Sequence, residues 1–245
     1  MIPDQSDTAR PTRSSPKGTN LVDLNGYRPK YITFDCYGTL TNFQMAEAVR
    51  PLIAGVIDTA DTERFIKEFR AYRMDEVLGP FKLYRQVLRD SWQRVCNRWR
   101  IQFQASDVEA IVEAVGSWGP HADVPGPLSK LADEYPLVIL SNAEDAMLQG
   151  NVVQLGAPFH RIFTAEQVGA YKPRLAGFEY MLDQLNCERD EVLHVTSHIW
   201  YDIIPCHELG IRNKVYVNRG YDPSTPFYEY AETEDLGGLA TLLGL

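Results

Sequence analysis

The stretch "YITFDCYGTLTNF", residues 31–43, decides the fold. Two aromatics and an isoleucine lead into a single acid, Asp35, and a Tyr-Gly-Thr turn follows at once. A short apolar run bounded by polar and turn residues reads as a strand covered on both faces, the kind found in parallel sheets. An acid delivered by such a strand into a glycine-containing turn is presented rigidly and partly desolvated. There it can serve as a nucleophile, a base or a metal ligand. Taken alone, the same Asp35 equally fits a residue that caps its turn.

Three further apolar runs read as buried strands: 137–140, 192–195 and 215–217. The first three of the four are followed by polar residues and then a helix-like pattern, the signature of a parallel α/β sheet with crossover helices. Ligands of such sheets sit outside the carboxyl ends of the strands. This directs attention to residues 35–39, to Ser141 and Asn142, and to residues 196–202. Between the first two strands, residues 43–118 read as successive helices, for example "TERFIKEFRAYRMDEVL" and "KLYRQVLRDSWQRVCNRW". A crossover needs only a dozen or so residues, so this is an inserted helical subdomain beside the strand ends, where a lid belongs. "GPHADVPGP", residues 119–127, reads as the return linker. The expected division is a surface-draped or flexible tail over 1–28, a core of 29–42 plus 119–245, and the helical subdomain 43–118.

Bulk properties narrow the function. The chain has 245 residues, 44% hydrophobic and 23% charged, ordinary values for a soluble globular enzyme. A net charge of -9 argues against a nucleic-acid surface, which needs a basic face, but leaves room for a small anionic substrate. The four cysteines contain no CxxC pair, so no zinc cluster or disulfide framework is expected and a reducing cytoplasm is the default. No apolar run approaches the ~20 residues of a membrane span. The first twenty residues lack the apolar centre of a signal peptide.

Other residues could join Asp35. Pro173 disfavours a helical conformation at Lys172 and suits entry into a new helix, so Lys172 is either a solvated surface group or a strand-end cation. Ser141 and Asn142 in "ILSNAED" could bind an anionic oxygen or cap a helix. His121, His160, His194 and His207 show no metal-binding spacing and read as structural.

"FDCYGTL", "LSNAED", "YKP" and "VTSHIWYD", in this order and after these strands, resemble the haloacid dehalogenase superfamily. The nearest likeness is to its L-2-haloacid dehalogenase (type II) branch, over residues 30 to 220. The resemblance implies a doubly wound parallel α/β core with a helical cap inserted after the first strand. It implies hydrolysis of small L-2-haloacids to 2-hydroxy acids through an ester on Asp35. Thr39 and Ser141 would hold that carboxylate by hydrogen bonds, and Lys172 would pair with it. Asn142 falls where the family helps to bind the departing halide, Trp200 matches the aromatic of that pocket, and Tyr37 would wall off the substrate. An arginine early in the cap would bind the substrate carboxylate. Of Arg70 and Arg73, the second is preferred because an aromatic residue directly precedes it. Met74, Phe81 and Tyr84 are candidates for apolar wall or plain core. The resemblance also allows a homodimer.

Tyr37 is the sharper sign. Phosphatases of the superfamily carry a general acid two residues after the nucleophile, and a phenol is a poor acid at neutral pH. A halide needs no proton to leave, only stabilisation of its developing charge. Phosphatases also use an acidic pair in the last motif to hold magnesium. Here Ser197 takes the first position and only Asp202 remains, so neither metal nor other cofactor is expected. Asp202 reads as orienting or activating the hydrolytic water, or as a helix-start cap. Two departures bear on substrate and ester hydrolysis. Phe178 stands where the family often has a tyrosine near the nucleophile, which would put it at the substrate site, and His198 where it often has an asparagine. His198 could position water or lie behind the site as a hydrogen-bonded support. Opening of a strained ring such as an azetidine carboxylate, phosphate-ester hydrolysis and binding without turnover are the competing expectations.

Overall fold

The computed structural model describes Val22, Leu24 and residues 26–245. The tail expected over 1–28 therefore lies mostly outside the described residues. Six parallel strands form one sheet: β1 (Tyr31–Phe34), β2 (Leu137–Ser141), β3 (Arg161–Thr164), β4 (Val192–Thr196), β5 (Lys214–Val217) and β6 (Ala231–Thr233). Their spatial order is β3-β2-β1-β4-β5-β6. The chain thus winds outward on one side of β1, then returns to the other side at β4. Strand order reverses between β1 and β4, and at such a point the loops leaving the two strands part to open a crevice.

The four apolar runs are the four central strands. Every residue of β2, β4 and β5 is buried, which is why they read as unbroken apolar stretches. Ile32 aligns with Leu137 on one side and Leu193 on the other. The edge strands β3 and β6 escaped the sequence reading because each is short and mixed, "RIFT" and "AET". Thr33 and His194 are polar residues inside the central strands rather than at their ends, and the register places them opposite one another. Their side chains lie 2.8 Å apart, so each satisfies the other inside the sheet.

Helices α1 (Met45–Ile53), α2 (Thr62–Leu78), α3 (Tyr84–Trp99), α4 (Ala105–Ser117) and α5 (Pro125–Glu134) lie between β1 and β2. The first ends at Ile53, where Ala54 turns extended and Gly55 takes φ +76. The expected linker over 119–127 is shortened. Pro125 opens α5, since a proline in a helix's first turn forfeits no internal hydrogen bond. α2 and α3 pack through Trp92, whose ring meets Phe65 and Phe69 edge-on at 5.6 and 5.2 Å. The remaining helices are α6 (Asp145–Leu155), α7 (Ala165–Val168), α8 (Ala176–Leu185), α9 (Ile204–Glu208) and α10 (Leu236–Leu242).

The turn joining α2 to α3 is held from outside. Arg174 donates to the carbonyls of Leu78 and Gly79 at 2.6 and 2.9 Å, where α2 leaves acceptors unsatisfied. The Tyr171 hydroxyl donates to Lys82 O at 2.8 Å. Buried Glu144 accepts from the backbone N–H of Arg85, in the first turn of α3, and from its Nε at 2.8 Å. A cation at one helix's C-terminus and a carboxylate at the next one's N-terminus both match the helix dipoles. Since Glu144 and Arg174 stand two residues from Asn142 and Lys172, this anchor fixes α2 and α3 relative to the strand ends. Glu144→Ala should cost about 1–3 kcal/mol, seen as a lower midpoint in chemical denaturation. Arg174→Ala, at an exposed position, should cost less than about 1 kcal/mol in the same measurement.

Candidate active site

Asp35 follows β1 directly, its N–H donating to Val195 O at 3.1 Å across the strand-order reversal. The turn after it folds back tightly: the N–H groups of Thr39, Leu40 and Thr41 all converge on Cys36 O. This brings the Thr39 hydroxyl to Asp35 Oδ2 at 2.7 Å. Thr39 Oγ1 in turn accepts from Ser197 N at 2.9 Å, which locks the loop after β1 to the loop after β4. From the far side, Arg219 donates to Thr39 O and is held in a two-bond pair by Asp123. The carboxylate is 5% exposed, so it meets solvent only through the cavity above it.

Lys172 supplies the countercharge. Its Nζ donates to Asp35 Oδ1 at 2.9 Å, Asp202 Oδ1 at 2.7 Å and Leu140 O at 2.9 Å, which uses all three of its protons. Its backbone is fixed by Asn142, whose Oδ1 accepts from Lys172 N at 2.7 Å and whose Nδ2 donates to Lys172 O at 2.9 Å. The Lys172–Pro173 peptide is cis. Burial alone would lower the lysine's pKa, but Asp202 and Asp35 outweigh it and hold the ammonium above its ordinary value. Burial likewise opposes ionisation of Asp202, yet Lys172 and His194 keep its carboxyl well below the usual carboxylate range. Asp202 Oδ1 also faces His194 Nε2 at 3.0 Å, and Oδ2 accepts from Thr196 at 3.1 Å.

A cavity of about 100 Å³ opens over Asp35, lined among others by Tyr37, Phe43, Arg70, Arg73, Asn142 and His198. The Tyr37 ring forms wall, while its hydroxyl donates to Asn151 Oδ1 at 2.8 Å. Burial pushes that phenol well above its ordinary range, so it keeps its proton. Arg73 lies over the rings of Phe69 and Phe43 at 5.0 and 5.6 Å, and its buried Nε has no hydrogen-bond partner. Arg70, one helical turn earlier, also lines the cavity and faces Asp222 at 3.6 Å. The Arg70 side chain is also half exposed to solvent. Met74 and Tyr84 line the cavity as well, whereas Phe81 packs on Tyr171 instead.

Four expectations are corrected. Ser141 is buried, but its Oγ has no hydrogen-bond partner and does not hold Asp35. Phe178 is fully buried on the other side of the sheet among Val138, Leu140 and Met181, edge-on to His194. Trp200 does not line the cavity; Tyr201 does, with Trp200 packed against it at 4.7 Å. The cause is a π-helical turn over Ile199–Ile203, whose wider i to i+5 bonding moves the cavity-facing position on by one residue. Asp202 is fully buried and spent on Lys172, His194 and Thr196, so it neither reaches water nor caps a helix. Asn142 lines the cavity, but its Oδ1 and one N–H are committed to Lys172.

His194 and Asp222 were missed. His194 was read as merely structural, and nothing local in "VLHVT" shows that it supports Asp202. Asp222 was legible: it follows the fourth apolar run, to which the strand-end rule was not extended. It accepts from Ile199 N at 3.1 Å and stands 3.9 Å from His198 Nδ1.

Among the described residues, no three His, Cys, Asp or Glu side chains are grouped to hold a metal ion. The donor set at the strand ends does not suit magnesium, which needs free oxygens at short range. The facing Oδ1 atoms of Asp35 and Asp202 are both bonded to the Lys172 ammonium. No described helix is long and apolar enough to cross a membrane.

The sequence model of the haloacid dehalogenase-like hydrolases matches residues 29–210, and the chain belongs to this family of hydrolases. Curated relatives include (S)-2-haloacid dehalogenase 2 of Pseudomonas sp. (strain CBS-3), 25% identical over 176 residues, or 69% of this chain and 76% of the relative. The (S)-2-haloacid dehalogenase of Pseudomonas sp. (strain YL) is 23% identical over 182 residues, 70% of this chain and 75% of its own. In fold, the chain is similar to L-2-haloacid dehalogenase from Xanthobacter autotrophicus, solved with chloropropionic acid covalently bound. That structure superposes with a TM-score of 0.72 at 18% identity, covering 89% of this chain and 99% of the other.

Lys172→Met would leave Asp35 and Asp202 buried without their shared cation, and should cost about 3–5 kcal/mol in denaturant titration. The pH dependence follows from the two shifts. The lowered Asp202 value stabilises the fold above the ordinary aspartate value of about 4, and this is lost as pH falls through the lowered value. The raised Lys172 value stabilises below about 10, and this is lost as pH rises through the raised value. Denaturation midpoints followed against pH should hold steady between those limits, and Asp202→Asn should flatten the acid limb.

Proposed function

We propose that this hydrolase displaces halide from C2 of a small 2-haloacid, with Asp35 as nucleophile and without a metal. The observation that carries the reading is the state of Asp35. Its carboxylate faces the cavity with one oxygen on Lys172 and the other on Thr39, and among the described residues no second carboxylate lines that cavity. In this reading an Asp35 oxygen attacks C2 from the side opposite the halogen. The C–O bond forms as the carbon–halogen bond breaks, and halide leaves with the bonding pair. Water then adds to the Asp35 carbonyl carbon, and cleavage of the ester frees a 2-hydroxy acid of inverted configuration.

The position of Tyr37 supports this choice over phosphate-ester hydrolysis. Its hydroxyl is bonded to Asn151 and pushed up by burial, so it does not protonate a leaving oxygen. Halide needs no such proton. Arg73 supplies the anion site, because an arginine over aromatic rings in a water-poor cavity binds a carboxylate through directed hydrogen bonds. The names of the relatives support the same substrate class. The small volume of the cavity favours short acids. We assign residues 43–118 the role of a cap over a core of 29–42 and 119–245.

Chloride release from L- and D-2-chloropropionate in the presence of a chelator tests the reading. The L enantiomer should be consumed and yield D-lactate, and Asp35→Ala should abolish release. Arg73→Ala should raise KM about 10- to 100-fold, by the 1.5–3 kcal/mol of a charged hydrogen bond. No chloride from either enantiomer, together with magnesium-dependent turnover of a phosphate ester, would replace dehalogenation with phosphatase action.

A further inference from the structure

We propose that His198 is the general base of the ester-hydrolysis step and that Asp222 is the residue positioning its ring. The proposal rests on the displacement reading above and concerns only its second half.

The ring occupies a built position. His198 N donates to Thr196 Oγ1 at 3.0 Å, and Nε2 lies 3.0 Å from Tyr37 O and 4.0 Å from Asp35 Oδ2. Nδ1 faces Asp222 Oδ2 at 3.9 Å. Tyr221 stacks on one face with centroids 5.5 Å apart, and Tyr201 meets the ring edge-on at 5.7 Å. The approach depends on Gly38, where a Cβ would stand 2.8 Å from Nε2 and where φ is +90. The charged and titratable groups around the ring are therefore Asp35 and Tyr37 from the loop after β1, Tyr201 from the π turn, and Tyr221 and Asp222 from the loop after β5. Arg70 and Arg73 face the same cavity from α2.

The alternatives for this role are spent. Asp202 has no face on the cavity and both its oxygens are bonded. The three protons of Lys172 are committed. Tyr37 holds its proton against Asn151, and burial pushes Tyr201 up to about 12. The arginines stay protonated at any working pH. His198 lines the cavity beside the nucleophile, and imidazole is the side chain that exchanges protons near neutrality.

The proton ledger closes. In the resting site of this proposal Nε2 faces a carbonyl oxygen and Nδ1 faces the Asp222 carboxylate, both of which only accept, so each ring nitrogen starts with a proton. Esterification turns the Asp35 carboxylate neutral, removing the negative charge next to the ring. The ring then releases its Nε2 proton to solvent and keeps the Nδ1 proton toward Asp222. Water adds to Cγ of Asp35 as one of its protons passes to Nε2. The bond from Cγ to the substrate oxygen breaks, and the departing alkoxide takes that proton to become the hydroxy acid. The Asp35 carboxyl finally gives its own proton to Nε2, which restores the starting state.

The test follows chloride release from L-2-chloropropionate on the burst and steady-state time scales, with intact-protein mass measured alongside. Wild-type protein should turn over continuously with little adduct. His198→Asn should release one equivalent of chloride per chain and then slow about 100-fold or more. One ester adduct, located on Asp35, should accumulate with it. Asp222→Asn, which keeps an acceptor for Ile199 N, should show the same pattern with a smaller loss. His198→Gln serves as the second variant if His198→Asn does not fold. Continued turnover in the histidine variants, or joint loss of burst and steady state without adduct, would overturn the role of His198 and leave the displacement reading standing. Absence of chloride release from wild-type protein would overturn both.

Discussion

The Lys172 ammonium is the constraint on which the rest depends. It sits in the interior between two carboxylates and a backbone carbonyl, at 2.7–2.9 Å from each. Neither Asp35 nor Asp202 could be buried as an anion without it, and the lysine itself could not stay charged without them. Its three bonds also tie together the carboxyl ends of three strands, because Asp35 follows β1, Leu140 lies in β2, and Asp202 follows β4. Charge balance and the meeting of strand ends are therefore one requirement. A residue that broke the first would also release the second.

The other buried polar groups extend this cluster. Thr33 and His194, paired across β1 and β4, carry it into the middle of the sheet and support Asp202 from behind. Thr39 and the Ser197 amide carry it forward to the second oxygen of Asp35. Asn142 fixes the lysine's backbone, and two residues beyond each partner, Glu144 and Arg174 hold the ends of α2 and α3. Hydrogen bonds and two short stretches of backbone thus link the sheet interior to α2, which bears Arg70 and Arg73. The geometry of the cavity is set by satisfying buried polar groups rather than by apolar packing alone.

Much of this was legible in the sequence, and the failures share a cause. The central strands announced themselves as apolar runs because both their faces are covered. The edge strands did not, because they are half covered. Asp35, Tyr37, Lys172 and Arg73 line one cavity, and Thr39 bonds to Asp35. Ser141, Phe178 and Trp200 share the right segments but face elsewhere. Being next to a strand end specifies the neighbourhood of a side chain and not its direction. For Trp200 the difference is a single π turn, which moves the cavity-facing position to Tyr201.

By itself the sequence determined a parallel α/β fold with an acid at the end of its first strand, a long helical insertion, and no acid two residues after Asp35. Those are properties of local pattern and residue type. The tertiary structure alone decided that Asp202 is committed to Lys172, that His194 supports it, and that Asp222 faces Nδ1 of His198. These assignments join residues 8 to 30 positions apart through contacts that exist only once the chain is folded. Whether a carboxylate is available to water or consumed by a buried cation depends on that spatial arrangement, which no local spacing encodes.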